Sequence, residues 1–158
     1  MKALKKVILS LFVLVVLFLH ACNKSLVIKN VNYAQLIESV LIPDSEGKIS
    51  DIRYGISFSI LPLQFEEFKD SSSVKITEIR MIRNNLGYYF ITADSFKNVY
   101  VMAPNNGLLK LEKKILVNEN GLFSPVFNWR FSAVELIENT DNVILLNEKG
   151  ILKGEVTS

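Results

Sequence analysis

Three carboxylates lie close together in the sequence and are the residues best suited to acid–base chemistry. They are Glu66, Glu67 and Asp70. A pair of carboxyl groups can act as general acid and general base, or as acid and nucleophile, on a glycosidic bond. A run of charges in a solvated loop has the same appearance. The polar segment 66–73, which follows Pro62, favours this second interpretation, so the pattern predicts no catalytic residue.

Most of the chain lacks the other residue types that supply nucleophiles and metal ligands. The only histidine is His20 and the only cysteine is Cys22, so neither type occurs from Asn23 onward. Ser-His-Asp and Cys-His systems are therefore excluded from that region, as are zinc and iron sites that use imidazole or thiolate. Disulfides are also excluded, so a hydrophobic core must hold the fold. We expect no metal site and no cofactor.

Two aspartates and a Trp-Arg pair remain as candidates for binding. Asp94 and Asp141 occur in turn-like segments, where an Asp side chain commonly accepts hydrogen bonds from nearby backbone N–H groups. The residues around Asp94 do not match the loop motif of calcium-binding proteins, although oxygen ligands alone can hold Ca²⁺. Trp129 and Arg130 are candidate ligand contacts because Trp and Arg are enriched in binding hot spots. The remaining aromatic residues follow strand spacing, which is typical of packing rather than of sugar stacking.

Cys22 ends a segment with the layout of an export signal. Lysines at positions 2, 5 and 6 precede a run of 13 residues, Val7–Leu19, that is apolar except for Ser10. A membrane-spanning helix needs about 20 such residues, whereas this length suits a signal peptide. The sequence Leu19-His20-Ala21-Cys22 resembles the lipobox of bacterial lipoproteins, which implies cleavage between Ala21 and Cys22 and lipidation of Cys22. The alternatives are a membrane anchor, or cleavage without lipidation, which leaves a free thiol.

The positive charge of the chain belongs to that leader. The whole sequence has 18 basic and 16 acidic residues. Removal of residues 1–21 takes away three lysines and leaves 15 basic against 16 acidic residues, a net charge of −1 over 137 residues. Nucleic-acid binding requires a clustered basic surface, which this composition does not offer. We therefore expect one domain of ordinary size and no nucleic-acid partner.

The elements that must position these residues follow a strand period. Residues 22–48 are predicted to be the lipidated N-terminus and a tether. Within them, Tyr33–Val40 has a weak helical spacing that also suits an irregular entry strand. From Ile49 onward, short apolar segments with a period of two are separated by turn signals, which indicates antiparallel strands. The segment Tyr88–Thr92 is apolar up to its last residue, as in a strand buried on both faces.

The alternation has one irregularity and one repeat. It slips near Thr77-Glu78, which predicts a bulge or a break between two strand segments. A displacement of 55 positions places Met81 on Leu136, and Tyr88–Ile91 on Val143–Leu146, without a gap. In both copies the predicted elements follow the same order: an edge strand, a turn with Asn, an apolar strand, a polar turn and a second apolar strand. A period of this size is typical of propeller blades.

On these motifs the chain resembles lipoproteins of Gram-negative anaerobes that contain a six-bladed β-propeller. The shared segments are the apolar-Pro-Leu motif at Ile60–Gln64, the aromatic strand Tyr88–Asp94 and the hairpin strand Lys97–Met102. The Gly-rich segment of that family is reduced to Asn120–Pro125. The resemblance implies a propeller-like fold without a defined reaction. Because a whole propeller is several hundred residues long, we expect a truncated chain, a divergent small domain, or a module that assembles with copies of itself.

Together these observations predict an all-β fold of antiparallel sheets, with one to two propeller-like blades over residues 49–158 and a preceding signal-peptide helix. The expected function is that of a lipid-anchored, extracytoplasmic binding or scaffold protein for a protein or glycan ligand, not an enzyme. One alternative is a carboxylate-based glycan or peptidoglycan hydrolase, and another is a truncated remnant without function. Asn23 after Cys22 favours the outer membrane, with the domain facing the periplasm. Open sheet edges allow self-association.

Overall fold

The computed structural model describes residues 37–106, 108–138 and 142–152. These residues fold into antiparallel β-sheets with one helix, so the predicted all-β class is confirmed. The elements are β1 Ser39–Leu41, β2 Lys48–Asp51, β3 Ile56–Ser59, α1 Leu61–Phe68, β4 Ile79–Arg83, β5 Tyr89–Thr92, β6 Asn98–Asn105, β7 Leu108–Leu116, β8 Val126–Arg130, β9 Ala133–Glu138, β10 Asn142–Asn147 and β11 Gly150–Ile151. The predicted signal-peptide helix lies outside the described residues. Within them, no helix is long and apolar enough to cross a membrane.

The largest sheet has five strands in the order β1-β4-β5-β6-β7. Strands β4 to β7 form an antiparallel meander, and β1 joins its edge with Ser39 opposite Met81. The segment assigned to the tether therefore enters the sheet from Ser39 onward, as a short strand rather than a helix. The hairpin of β2 and β3 forms a separate two-stranded sheet.

Strands β8 to β11 form a second meander of four consecutive strands. The repeat predicted the order of these strands but not their pairing. Met81 lies opposite Ile91 in the first sheet, whereas Leu136, its counterpart, lies opposite Ile144 instead of Leu146. The reason is that the second hairpin connection, residues 139–141, is two residues shorter than the first, residues 84–88.

The five-stranded sheet is the middle of three layers. Every residue of β5 is buried, as predicted for the segment Tyr88–Thr92, although the strand begins one residue later and Tyr88 is half-buried. Phe90 points into a core that this sheet shares with the second sheet, where it meets Leu136 and Leu146. Tyr89 and Ile91 point the other way, into a core closed by α1 and the β2–β3 hairpin.

The prediction of a polar loop over residues 66–73 is wrong in its first part, because helix α1 continues to Phe68. Leu61 and Pro62 open the helix, where the missing N–H of proline has no intrahelical partner to lose. Lys69 ends it in the left-handed conformation, with its N–H bonded to the Phe65 carbonyl oxygen. Eight residues are too few for their spacing to stand out as helical, which is why the sequence pattern missed this element.

The segment between α1 and β4 is irregular. Strand β4 begins at Ile79, and the preceding residues 74–78 have no regular secondary structure. A break near Thr77-Glu78 is therefore present, but the strand predicted before it is not.

Candidate functional site

Glu67 joins helix α1 to the β5–β6 hairpin. One carboxylate oxygen accepts hydrogen bonds from the Tyr100 hydroxyl (2.7 Å) and the Asn98 side-chain amide (2.8 Å). The other accepts the backbone N–H of Lys97 at 2.9 Å. Burial and this carboxylate raise the pKa of the Tyr100 hydroxyl well above its usual range. Both oxygens of Glu67 thus serve as acceptors that fix the helix on the sheet.

The other two carboxylates of the cluster have exposed, local partners. Glu66 lies 3.3 Å from the ammonium group of Lys114. Asp70 accepts the ammonium of Lys75 at 2.6 Å and two hydrogen bonds from Ser72. The hydrogen bond from Lys75, followed by those from Ser72, holds the pKa of the Asp70 carboxyl well below its usual range. None of these contacts aligns two carboxyl groups on a common reacting atom.

Gln64 is a structural residue that the sequence pattern did not single out. Its side chain is fully buried on α1 and makes three hydrogen bonds to the following loop. The amide nitrogen donates to the carbonyl oxygens of Asp70 (3.0 Å) and Ser73 (2.7 Å), and the amide oxygen accepts the N–H of Lys75 at 2.8 Å. A buried amide satisfied in this way rigidifies the irregular segment that leads into β4.

A cavity of about 340 Å³ opens between that irregular segment and the β5–β6 turn. Its walls combine one aromatic ring with charged and hydroxyl groups: Phe68, Lys75, Ile76, Thr77, Glu78, Asp94 and Ser95. The volume is that of a site for a small ligand, and the mixture of an apolar face with a few polar groups is typical of such sites. Asp94 was predicted to bond its own turn. It accepts the hydroxyl of Ser95 and, from a distant segment, the N–H of Ser124.

The predicted ligand contacts Trp129 and Arg130 lie on one hairpin but in different surroundings. Trp129 is half-buried and packs against the core between the two sheets. The Arg130 side chain is exposed, with its guanidinium 3.3 Å from Glu135. The most exposed aromatic residue of the hairpin is Phe131 at the tip. No pattern in the sequence separated Phe131 from Trp129, because only the strand register decides which ring faces the core.

The remaining predicted positions fall elsewhere. Ala21, Cys22 and Asp141 lie outside the described residues. In the part of the chain that is described, no group of three His, Cys, Asp or Glu side chains is close enough together to hold a metal ion.

Comparisons with protein-family models, with curated proteins and with solved structures find no match to this chain. The resemblance to propeller lipoproteins therefore stays a prediction.

Proposed function

We propose that the protein is a lipid-anchored, extracytoplasmic binding module that takes a polar glycan in the cavity beside α1. The observation that carries the proposal is the cavity itself, in which the Phe68 ring lies among hydroxyl and charged groups. An aromatic face beside hydrogen-bonding groups suits a ligand that has both C–H faces and hydroxyls. The lipobox-like segment ending at Cys22 supports the anchor.

The carboxylate cluster supports binding rather than hydrolysis. Glu67 uses both oxygens to hold α1 on the sheet. Glu66 is exposed beside Lys114, and Asp70 is paired with Lys75. A hydrolase would need one of these groups free to donate a proton to the leaving oxygen and another free to accept one.

The anchor is tested by growth of the producing cells with labelled palmitate. We expect label in the wild-type protein and none in a Cys22→Ala variant, with wild-type protein in the membrane fraction. An unlabelled wild-type protein would contradict the anchor.

The binding site is tested by co-sedimentation of the lipoprotein, in detergent, with purified peptidoglycan sacculi. We expect the sacculi to retain the wild-type protein, and Thr77→Trp, which fills the cavity mouth, to weaken retention at least tenfold. Ser57→Trp places the same side chain on an exposed strand away from the cavity and is the matched control. Absence of wild-type retention, or equal retention of both variants, would contradict a glycan site in the cavity.

The same incubation tests the hydrolase alternative. We expect no release of reducing ends from the sacculi. Release that Glu66→Gln abolishes would favour the enzyme. Glu66 is the informative position, because substitution of Glu67 also removes the hydrogen bonds that hold α1 in place.

A further inference from the structure

Four of the connections between strands lie at the same end of the domain. In the five-stranded sheet, Arg83 lies opposite Tyr89, and β6 and β7 continue past that level to the pair Asn105 and Leu108. The β4–β5 and β6–β7 connections therefore lie at the same end of the sheet, which we call the turn end. Because Ser39 lies opposite Met81, the preceding Ile37 also reaches this end.

The β2–β3 hairpin adds its tip to the turn end. The guanidinium of Arg53 donates to the carbonyl oxygen of Ile37 at 3.0 Å. The ring of Tyr54 meets that of Tyr89 edge to face, with centroids 5.5 Å apart. The first contact places residues 52–55 beside Ile37, and the second places them beside the start of β5.

The β8–β9 hairpin points its tip the same way. The chain enters β8 at the opposite end, where Ser124 donates its N–H to Asp94 at 2.9 Å. It then passes the edge of the first sheet, where the N–H of Phe127 bonds the Glu38 carboxylate at 2.7 Å. Since β8 runs away from Asp94, its tip at Phe131 and Ser132 emerges at the turn end.

A large apolar side chain is exposed in, or directly next to, each of these four connections. The exposed fractions are 97% for Ile52, 64% for Leu86, 73% for Leu108 and 94% for Phe131. Single exposed apolar residues are ordinary on a protein surface. Four of them on separate connections at one end form a recurring pattern, which is typical of an interaction surface.

The two ends differ in which charged groups lie beside their exposed apolar residues. Arg53, Arg83 and Arg130 border the exposed apolar residues of the turn end. The turn residues 52–55, 84–88 and 131–132 include no carboxylate, whereas Glu148 lies in the β10–β11 turn at the same end. Glu38 is paired with Arg80 and Glu135 with Arg130, and the buried Asp51 accepts hydrogen bonds from the Ser39 hydroxyl and the Arg53 N–H. Among the ion pairs of the described residues, Arg53 and Arg83 have no carboxylate partner. Apolar residues are exposed at the opposite end too, but there the loops carry four exposed carboxylates, Asp44, Glu46, Asp94 and Glu119, with two exposed lysines, Lys48 and Lys97.

We propose that the turn end lies on the anionic surface of the membrane that holds the lipid anchor, an inference that rests on the proposed lipidation of Cys22. Apolar side chains that enter the headgroup region, with arginines beside lipid phosphates, are the chemistry of interfacial attachment. The chain also enters the described domain at this end, through Ile37. In this orientation the cavity beside α1 and Asp94 faces away from the bilayer.

The test uses the full lipidated protein in vesicles of phosphatidylethanolamine and phosphatidylglycerol. Single cysteines replace Leu86 or Phe131 at the turn end, or Glu119 at the opposite end, and carry a nitroxide label. We expect the two turn-end labels to collide several-fold more with oxygen, and less with a water-soluble nickel complex, than the label at Glu119→Cys. Triple substitution Ile52→Ser, Leu86→Ser and Phe131→Ser should bring a label at Leu108→Cys back into water, with the fold checked by circular dichroism.

The two proposals fail in different ways. A lipidated Cys22 has no free thiol, so labelling of the wild-type protein would refute the anchor without reporting on the turn end. Equal exposure of all labels to water, in a protein shown to be lipidated, would overturn the membrane contact. Dipolar broadening between turn-end labels would indicate contact between copies of the chain instead, and would overturn it as well.

Discussion

Carboxylates with little solvent exposure join segments that are distant in the sequence. Glu38 links the edge of the first sheet to β8, and Glu67 links α1 to the β5–β6 hairpin. Glu138 links β9 to the connection before β8, through the side chain of Asn118 and the N–H of Phe123. Since each accepts hydrogen bonds from backbone or amide groups of another segment, these residues hold the tertiary arrangement.

The pH dependence of stability is expected to carry a contribution from Glu38. Burial raises the pKa of its carboxyl above the usual 4.5, against the opposing effects of the Phe127 N–H and Arg80. A carboxyl that binds its proton more tightly in the folded state stabilises the fold most at low pH, and that contribution is lost as the pH rises through the folded-state pKa. We expect Glu38→Gln, which cannot ionise, to gain in unfolding free energy relative to wild type as the pH rises from about 4 to about 7.

Urea titrations at several pH values measure this difference. Glu119→Gln, at an exposed carboxylate, is the control. A difference between Glu38→Gln and wild type that does not change with pH would contradict the prediction.

The long connection between β7 and β8 is fastened to the β5–β6 turn rather than loose. Ser95 donates its N–H to the Leu122 carbonyl oxygen, and Leu122 donates to that of Phe96, both at 2.8 Å. Gly121 makes this approach close enough, because a Cβ on it would lie 2.9 Å from the Ser95 carbonyl oxygen. Its φ of +91° also disfavours any other residue. The β7–β8 connection therefore supports the β5–β6 turn, whose residues Asp94 and Ser95 line the cavity.

Gly121→Ala is expected to destabilise the protein by about 2 kcal/mol or more, because backbone atoms must move apart and a strained φ is imposed. Gly55→Ala is the matched control. Its φ of +62° is also left-handed, but no atom lies within 4 Å of the added Cβ, so only about 1 kcal/mol is expected. Thermal or urea unfolding measures both. Equal losses of unfolding free energy in the two variants would contradict a contribution from the contact with Ser95.

At the scale of the whole molecule, the central sheet makes the two cores interdependent. Its β5 strand sends Phe90 to the core shared with the second sheet and Ile91 to the core under α1. Loss of packing on one face therefore removes support from the other. This three-layer arrangement also holds the turn end and the cavity at opposite ends of the same rigid sheet.

Truncation of the shared core is expected to unfold both sheets together. Phe90→Ala and Leu136→Ala should each cost about 2–5 kcal/mol, whereas Val143→Ala, on the exposed face of the second sheet, should cost less than about 1 kcal/mol. Trp129 is the only tryptophan and reports on the second sheet. Its fluorescence should change at the same urea concentration as the circular dichroism of the whole chain. Separate transitions would contradict a common core.

Much of the strand pattern can be predicted from local sequence, and the exceptions are instructive. The turn at Asn84 follows from a side chain that accepts the N–H groups of Leu86 and Tyr88. The buried β5 follows from its unbroken apolar run. Helix α1 was missed because eight residues are too few to show a helical period. The pairing of β9 with β10 was not predicted, because the connection between them has fewer residues than that between β4 and β5, and this displaces the register.

The sequence by itself determined the antiparallel β class, and it excludes histidine and thiol chemistry after Cys22, because periodicity and composition are local properties that packing does not alter. The tertiary structure alone decided the role of the carboxylates, the exposure of Phe131 rather than Trp129, and the gathering of apolar side chains at one end. Those properties depend on which distant segments meet. In a sheet, one residue of register decides whether a side chain enters the core or faces solvent.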